Sequence, residues 1–303
     1  MSENLKDSSV LVVGSTGLLG MEICRQLTKA GKNVKALVRP SSDYKKVTAL
    51  KEMGAEIREG DLKNISSIRK AIEGVSYVIS TASSTFSRQE GDSIESVDAD
   101  GQSNLVKIAG DAGVNQFIFI SFSPMPLEFS LQTAKRNTEK LLKESKMNYT
   151  ILQPGFFMEV WLSPAVGFDL PQSKATIYGN GKNKLHWISL KDVAAFAVAS
   201  LNNEAVRDSV CQLGGPEALS PLEVVRIFEK QTGNSFTTEY VPLAALQARK
   251  AAATDSFSES FAALMLMYAQ GDNIDTTETR KVYPFRMISV ADYAQTFKAE
   301  HKI

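Results

Sequence analysis

A glycine-rich turn near the start of the chain is the sequence feature best suited to bind a ligand. Glycine permits a tight turn and lets the backbone approach a pyrophosphate with no Cβ in the way. The helix that follows would offer backbone N–H groups and a positive dipole end to the phosphates. Such a turn can serve packing alone, but this one directly follows the first apolar run of the chain. We therefore predict that a dinucleotide is bound by Gly14, Ser15, Thr16, Gly17, Leu18, Leu19 and Gly20.

The residues after the second apolar run indicate whether the dinucleotide is NAD or NADP. Proteins that bind NAD usually place Asp or Glu there, about 20 residues after the turn, to accept a hydrogen bond from the ribose 2′-hydroxyl. This chain instead has Arg39, followed by Pro40, Ser41 and Ser42. A guanidinium pairs with a 2′-phosphate, and serine hydroxyls add hydrogen bonds. We predict NADPH (NADP+) as the cofactor; the alternative is an ordinary solvated arginine at a strand end.

Two further segments are expected to lie beside the nucleotide. Asp61 follows the third apolar run, where it would accept from the adenine amino group with Leu62 against the ring, or would instead cap the next helix. The sequence leaves these two interpretations of Asp61 open. The fourth run ends in small residues, as is expected next to a cofactor, and these are Thr81, Ala82 and Ser83.

The elements that must position these residues alternate regularly from residue 8 to about residue 155. Short, nearly all-apolar runs are separated by segments of helical length, as in parallel strands that helices cover on both faces. Six such repeats in order predict an α/β fold with a doubly wound parallel Rossmann sheet. The predicted strands lie at residues 10–13, 34–38, 55–57, 75–79, 117–120 and 149–152.

The regular alternation of apolar runs and helical segments ends after Pro154. About 150 residues per domain is typical, so a chain of 303 residues suggests two domains. We predict an NADP(H)-binding Rossmann domain over residues 1–155 and a smaller C-terminal α/β substrate lobe over residues 156–303, with some segments returning to the Rossmann core. The strand-like and helical segments of this lobe lie at residues 175–178, 185–188, 190–201, 222–232 and 243–270.

The composition excludes several classes of function. Lysine plus arginine number 34, as do aspartate plus glutamate, so no overall field draws the chain to nucleic acid or an anionic membrane. No apolar run approaches the roughly 20 residues of a membrane span, and the first residues lack the apolar segment of a signal peptide. Cys24 and Cys211 are far apart, and His186 and His301 are too few for a metal centre. We therefore expect a cytoplasmic protein without a metal ion, in which a bound cofactor supplies the reactive group.

In combination, these motifs resemble those of a known family. Over about residues 8–240 the chain is similar to the NmrA-like and isoflavone-reductase-like branch of the atypical short-chain dehydrogenases/reductases. The resemblance implies an NADPH-binding Rossmann core with a smaller substrate lobe. It implies no single reaction, because some members reduce small substrates or quinones, others sense the nucleotide with little turnover, and photosynthetic relatives are assembly factors. The matching segments are residues 13–20, 36–39, 60–62, 117–121, 148–159 and 188–194.

The resemblance also implies which residues would react. Typical short-chain dehydrogenases use Tyr-x-x-x-Lys, and this chain has Leu131 at the tyrosine position and Lys135 at the lysine position. Isoflavone-reductase-like members share this change and are thought to use the lysine itself. Lys135 is thus the candidate general acid or nicotinamide-ribose ligand, and its ordinary alternative is a solvated lysine. Ser121 takes the catalytic-serine position, where the alternative is a loop cap before Pro124.

The segment that follows the sixth predicted strand is expected to wrap the nicotinamide. Its residues are Pro154, Gly155, Phe156 and Phe157. One of the two rings would close a face of the nicotinamide, or both would belong to the hydrophobic core. His186 lies between Leu185 and Trp187 in a strand-like piece, so a hydrogen-bonded histidine within a sheet is favoured over an acid.

The leading functional hypothesis is an NADPH-dependent reductase of a small, mostly apolar carbonyl, enone or quinone. Lys135 would hold the ribose or supply the proton, and Ser121 would help to position the acceptor. The alternative hypothesis is an NADP(H)-sensing regulatory or scaffold and assembly protein without turnover, which Leu131 favours. The sequence leaves both a monomer and a homodimer open.

Overall fold

In the computed structural model, which describes residues 8–85 and 88–300, strands and helices alternate as far as Pro154. His301 lies outside the described residues. The strands of this part are β1 (Ser9–Val13), β2 (Asn33–Val38), β3 (Glu56–Glu59), β4 (Tyr77–Ser80), β5 (Gln116–Ile120) and β6 (Asn148–Pro154). The helices are α1 (Leu18–Lys29), α2 (Tyr44–Glu52), α3 (Ile65–Ala71), a π-helix (Ile94–Gly101) that runs into α4 (Gln102–Asp111), and α5 (Ser130–Glu144).

Shorter strands and more helices make up the rest of the chain. The strands are β7 (Phe156–Phe157), β8 (Phe168–Asp169), β9 (Lys174–Tyr178), β10 (Leu185–Ile188), β11 (Ser209–Leu213), β12 (Ala218–Leu219) and β13 (Thr237–Val241). The α-helices are α6 (Met158–Trp161), α7 (Leu190–Ala199), α8 (Pro221–Thr232), α9 (Leu243–Ala251), α10 (Ser256–Gln270), α11 (Thr277–Val282) and α12 (Val290–Glu300). Two 3₁₀ turns lie at Pro164–Val166 and Glu204–Val206.

The central sheet has seven strands in the order β11-β6-β5-β4-β1-β2-β3. The neighbouring pairs among β1 to β6 are all parallel. Every residue of β1 and β5 is buried, as helices on both faces of a sheet require. This confirms the predicted α/β fold with a doubly wound Rossmann sheet. The strand order reverses at β1, so ligands are expected outside the carboxyl ends of β1 and β4.

The helical stretch predicted over residues 243–270 is wrong as a single helix. The structure ends α9 at Ala251 and begins α10 at Ser256. The Asp255 carboxylate caps the new helix by accepting a hydrogen bond from the backbone N–H of Ser258 at 2.9 Å. The break contains neither glycine nor proline, the residues that usually mark a helix end.

The chain divides into two compact units. The first contains Met1–Phe122, Ser130–Gln153 and Val193–Cys211, and the second contains Ser123–Phe129, Pro154–Asp192 and Gln212–Ile303. Most of the seven-stranded sheet belongs to the first unit. The second unit holds two three-stranded sheets, β12-β10-β7 and β13-β9-β8. Its core is rich in aromatic side chains, among them Phe156, Trp187 and Phe228.

Asp192 is a buried carboxylate in the second unit with a perturbed pKa. Its side chain accepts a hydrogen bond from the backbone N–H of Ile288 at 2.8 Å. Burial raises the pKa of Asp192 to about 6, and the carboxylates of Glu159 and Asp292 act in the same direction. An unfolded aspartate titrates near pH ~4, so the unfolded chain releases this proton first as the pH rises.

Asp192 is therefore expected to weaken the fold as the pH rises from 4 to 7. Asp192 contributes its full stabilisation below the pKa of aspartate in the unfolded chain. That contribution is lost as the pH rises through the folded-state pKa of about 6. Relative to Asp192→Asn, the natural protein should lose about 2 kcal/mol of unfolding free energy over this range, measured by urea denaturation. Asp111→Asn is the control, because that side chain is 64% exposed. A difference between protein and variant that is independent of pH would contradict the assignment.

Candidate functional site

The turn after β1 is so closely packed that two of its glycines have no room for a side chain. Gly14 has a φ of 83°, and a Cβ there would lie 2.6 Å from the Thr81 hydroxyl oxygen and 2.9 Å from the Ala82 backbone nitrogen. The N–H of Gly17 donates to the carbonyl of Gly14 at 2.9 Å. A Cβ on Gly20 would lie only 2.1 Å from the same carbonyl oxygen. A side chain at either position would therefore collide with other atoms of the protein, and we call this closely packed turn the glycine cradle.

The N-terminus of α1 opens directly from this cradle. Gly17 is its N-cap and provides no side-chain cap, and the first turn of the helix contains no acidic residue. The Ser15 hydroxyl donates to the carbonyl of Leu37 at 2.6 Å, which ties the turn to β2. Because Ser15 and Leu19 are buried, contacts from these two residues to a ligand would come from the backbone. Thr16 and Gly17 are half-buried, and the Leu18 side chain is exposed.

The carboxyl end of β4 packs against this turn. The N–H and the hydroxyl of Thr81 both donate to the carbonyl of Val13, at 2.9 and 3.1 Å. The buried Gln102 donates to the carbonyl of Ala82 at 2.8 Å. Ser83 follows, half-buried. The structure thus brings together two segments that the sequence assigned separately to the same ligand.

Arg39 is part of a four-residue ion-pair network at the ends of β2 and β3, whose fourth member, Asp61, lies 3.9 Å from the Nζ of Lys63. The Nη1 of Arg39 lies 2.6 Å from Oδ2 of Asp92, and the Nζ of Lys63 lies 2.6 Å from Oδ1 of the same carboxylate. The Asp92 side chain is 1% exposed. Burial acts to raise the pKa of Asp92, but hydrogen bonds from Lys63, the backbone N–H of Gln89 and Arg39 outweigh it and hold that pKa below its usual value.

The two serines beside Arg39 also have partners within this unit. Ser42 accepts from the backbone N–H of Arg39 at 3.0 Å. The Ser41 hydroxyl donates to Oε1 of Gln89 at 2.5 Å, and the amide of Gln89 donates back to the Ser41 carbonyl at 3.0 Å. Arg39, Ser41 and Ser42 therefore lie together, with residues 89–92 against them. Sequence reasoning missed Lys63 and Asp92, because no local pattern links the ends of β2 and β3 to a carboxylate 53 residues beyond Arg39.

Asp61 does not cap the next helix. The N-cap of α3 is Asn64, whose side chain accepts from the backbone N–H of Ser67 at 3.1 Å. Asp61 instead accepts from the backbone N–H of Lys63 at 2.8 Å and shapes the loop after β3. The helix-cap interpretation of Asp61 is therefore wrong, and its proposed contact with adenine stays a prediction. Leu62 is buried in the hydrophobic core of this unit.

Lys135 is a buried cation on α5. Its side chain is 6% exposed, and its Nζ donates to the carbonyl of Ile120 at 3.3 Å and lies 3.9 Å from Oδ1 of Asp98. Burial lowers the pKa of Lys135, while Asp98 opposes that shift, Arg136 adds to it and Glu139 opposes it. The alternative of a solvated lysine is thus wrong. Leu131 is buried one helical turn earlier and offers no proton.

Asp98 is a functional candidate that sequence reasoning missed. It lies in the π-helix and is fully buried, and its Oδ2 accepts from the N–H and the hydroxyl of Ser84 at 2.9 and 2.7 Å. Its Oδ1, the oxygen that faces Lys135, has no hydrogen-bond partner among the described residues. Short π-helical segments occur frequently at functional sites. The carboxylate is positioned to keep the Lys135 ammonium charged.

Ser121 lies at the carboxyl end of β5, next to the carbonyl that Lys135 contacts. Its N–H donates to the carbonyl of Leu152 at 2.8 Å, and its hydroxyl accepts from Nη2 of Arg136 at 3.1 Å. The same guanidinium donates to the carbonyl of Phe122 and pairs with Glu139. Ser121 and Lys135 are therefore brought together, and no described residue accepts a hydrogen bond from the Ser121 hydroxyl.

The residues predicted to wrap the nicotinamide belong to the second unit. Phe156 is buried, and its ring centroid lies 4.8 Å from that of Trp161 and 6.0 Å from that of Tyr268. Of the two interpretations that the sequence allowed for Phe156, the structure therefore favours a ring in the hydrophobic core. The Gly155 N–H donates to the carbonyl of Leu213 at 2.8 Å. The other two residues of the segment are Pro154, which ends β6, and Phe157, which is half-buried in β7.

His186 is hydrogen-bonded in β10, as its strand-like surroundings predicted. Its Nδ1 lies 2.5 Å from Oδ1 of Asp272, and its backbone N–H donates to the other oxygen of that carboxylate at 2.7 Å. A carboxylate that binds both the ring and the backbone of one residue fixes the end of a strand. We assign no chemistry to His186.

The described part of the chain contains neither a metal-binding cluster nor a membrane-spanning helix. No group of three or more His, Cys, Asp or Glu side chains is placed to hold a metal ion there. None of the helices described has both the length and the apolarity needed to cross a bilayer. Cys24 and Cys211 are free and buried, and burial raises the pKa of Cys24 to about 12, which makes it a poor nucleophile.

Comparison with known proteins identifies the family. The sequence model of the NmrA-like family matches residues 6–294. This chain is a member of the NmrA-like family. It is 32% identical over 245 residues to Photosystem II assembly factor Ycf39 of Synechocystis sp., covering 78% of this chain and 72% of that protein. It is also 29% identical over 259 residues to the NAD(P)H azoreductase of Xenophilus azovorans, covering 84% of each chain.

Solved structures share the fold of this NmrA-like protein. AtPrR2, solved with NADP+ and (+)pinoresinol, superposes with a TM-score of 0.79 at 24% identity, over 96% of this chain and 99% of the other. The NADPH complex of the quinone oxidoreductase QOR2 from Escherichia coli gives a TM-score of 0.76 at 23% identity, over 95% and 99% of the two chains. The family resemblance expected from the sequence motifs is confirmed.

Proposed function

We propose that this NmrA-like protein binds NADP(H) in its first unit. The observation that carries the proposal is the glycine cradle, since only glycine at positions 14 and 20 lets the turn pack this closely against the end of β4 and the start of α1. Backbone N–H groups at the start of α1 would hold the pyrophosphate, and Arg39 would hold the 2′-phosphate. The two related folds solved with NADP+ or NADPH support this choice of nucleotide.

The activity that fits these residues is reduction of a small, mostly apolar carbonyl, enone or quinone in the cytoplasm. Bound NADPH supplies a hydride. Reduction leaves negative charge on the acceptor oxygen, and the Lys135 ammonium would neutralise it by giving up a proton. Asp98 keeps Lys135 protonated against the effect of burial, and Ser121 would orient the acceptor oxygen with its hydroxyl hydrogen. The azoreductase relative supports a reductase.

NADPH oxidation against a panel of quinones, enones and aldehydes tests this activity. Consumption of NADPH that depends on an acceptor, with one product formed per NADPH, is the expected result. Tight NADPH binding with no turnover on any member of the panel would leave nucleotide binding intact and overturn the reductase assignment.

A second candidate function is supported by the relatives named as assembly factors. The Synechocystis assembly factor is 32% identical to this chain. Leu131 at the position of the usual proton donor agrees with binding without turnover. In that case the chain would use NADP(H) as a structural or sensing ligand and act on a protein partner. The same panel separates the two candidates, since only the reductase consumes NADPH.

Arg39→Ala is expected to remove most of the preference for NADP+ over NAD+. The guanidinium is the group we assign to the 2′-phosphate, and NAD+ has no such phosphate. The ratio of the two dissociation constants, measured by isothermal titration calorimetry, should change about tenfold or more. Arg69→Ala is the matched control, because that arginine is exposed and pairs with Asp111 at 3.6 Å. An unchanged ratio in Arg39→Ala would refute the role of Arg39.

A further inference from the structure

A single buried carboxylate joins the two cations at the ends of β2 and β3. Arg39 and Lys63 each approach a different oxygen of Asp92 at 2.6 Å. Their side chains are 23% and 29% exposed, whereas that of Asp92 is 1% exposed. The more exposed carboxylate of Asp61 also lies 3.9 Å from the Nζ of Lys63, so the two cations face two carboxylates and the cluster carries no net charge. The geometry resembles that of an anion held between two basic groups, with Asp92 in the position of the anion.

The loop that supplies Asp92 is attached to the same region by further bonds. Gln89 exchanges two hydrogen bonds with Ser41, and its own N–H donates to Asp92 at 2.9 Å. The groups assigned to the 2′-phosphate, Arg39 and Ser41, are therefore already engaged by residues 89–92. A phosphate monoester that binds here must compete with the Asp92 carboxylate for the Arg39 guanidinium. The same carboxylate also repels the phosphate.

We propose that Lys63 and Asp92 set the nucleotide preference, Lys63 as a second cation for the 2′-phosphate and Asp92 as an internal anion that competes with it. This inference rests on the proposed binding of NADP(H) by the first unit. Asp92 neutralises part of the charge that attracts the 2′-phosphate, and it leaves NAD+, which lacks that group, unaffected. The natural protein thus has a smaller preference for NADP+ than its two cations alone would produce.

The test compares the affinities of NADP+ and NAD+ for the full chain by isothermal titration calorimetry. Asp92→Asn keeps the size of the side chain and removes its charge, so the preference for NADP+ should rise about tenfold. Asp111→Asn is the control, since it makes the same change in charge at a side chain that is 64% exposed, and it should leave the preference unchanged. An unchanged or lower preference in Asp92→Asn would overturn the proposal.

A second variant keeps the proposal testable if Asp92→Asn does not fold. Lys63→Met shortens the side chain by one atom and removes its charge, and it should lower the preference for NADP+ about tenfold while NAD+ affinity changes little. An unaltered preference in Lys63→Met would likewise overturn the proposal. If the natural protein binds neither nucleotide, the proposed function itself fails, whereas binding of NADP+ with no response to either substitution overturns this inference alone.

Discussion

Gly20→Ala is expected to weaken NADP+ binding, with a rise in the dissociation constant of about a hundredfold or more. The new Cβ would lie 2.1 Å from the Gly14 carbonyl oxygen and 2.9 Å from the Ser15 Cα. These are backbone atoms, so the contact cannot be relieved by rotating a side chain. The turn must move away from α1, and the N–H groups that would face the pyrophosphate move with it.

Calorimetric titration with NADP+ measures this effect, and circular dichroism checks that the variant is folded. Gly110→Ala is the matched control, because a Cβ on Gly110 in α4 has no neighbouring atom within 4 Å. That control should bind NADP+ normally and should be slightly more stable, since alanine favours a helix over glycine by roughly 1 kcal/mol. A folded Gly20→Ala protein that binds NADP+ with natural affinity would show that the cradle is not the nucleotide site.

Lys135→Met is expected to lower kcat by about 10²–10⁴-fold on any acceptor found in the panel, because it removes the proton donor. Lys140→Met on the same helix is the control, since that side chain is 72% exposed and pairs, within the described part of the chain, with Glu144 alone at 3.8 Å. A Lys135→Met protein with natural kcat would exclude the lysine as the acid. Loss of NADP+ affinity with kcat retained would instead assign it to the ribose.

Asp98→Asn separates a proton donor from a merely structural lysine. Burial lowers the pKa of Lys135 and the Asp98 carboxylate opposes that shift, so removing the charge lowers this pKa further. A lysine that donates a proton must be charged, and activity falls as the pH rises through its pKa. The alkaline limb of kcat should therefore move to lower pH in Asp98→Asn. A pH profile with an unmoved alkaline limb would contradict the assignment.

Features with a local signal could be predicted from the amino-acid sequence alone. The turn from Gly14 to Gly20 and the alternation of apolar runs with helices are read from contiguous residues, because backbone conformation and burial on both faces constrain each short segment. Arg39 was found from its distance to that turn, whereas Lys135 was found from the resemblance to the short-chain dehydrogenases. The confirmed fold follows from these signals, since a repeated strand–helix pattern has few ways to bury its apolar faces.

Which distant groups meet at these positions depends on the tertiary structure. Asp92 reaches Arg39 and Lys63, and Asp98 reaches Lys135, because the carboxyl ends of parallel strands bring loops that are far apart in sequence to one edge of the sheet. The core position of Phe156 depends likewise on partners from other segments. Ion pairs and ring contacts depend on distances of a few ångströms between such segments. Local propensity carries no information about those distances, so the charge environment of the candidate site had to come from the fold.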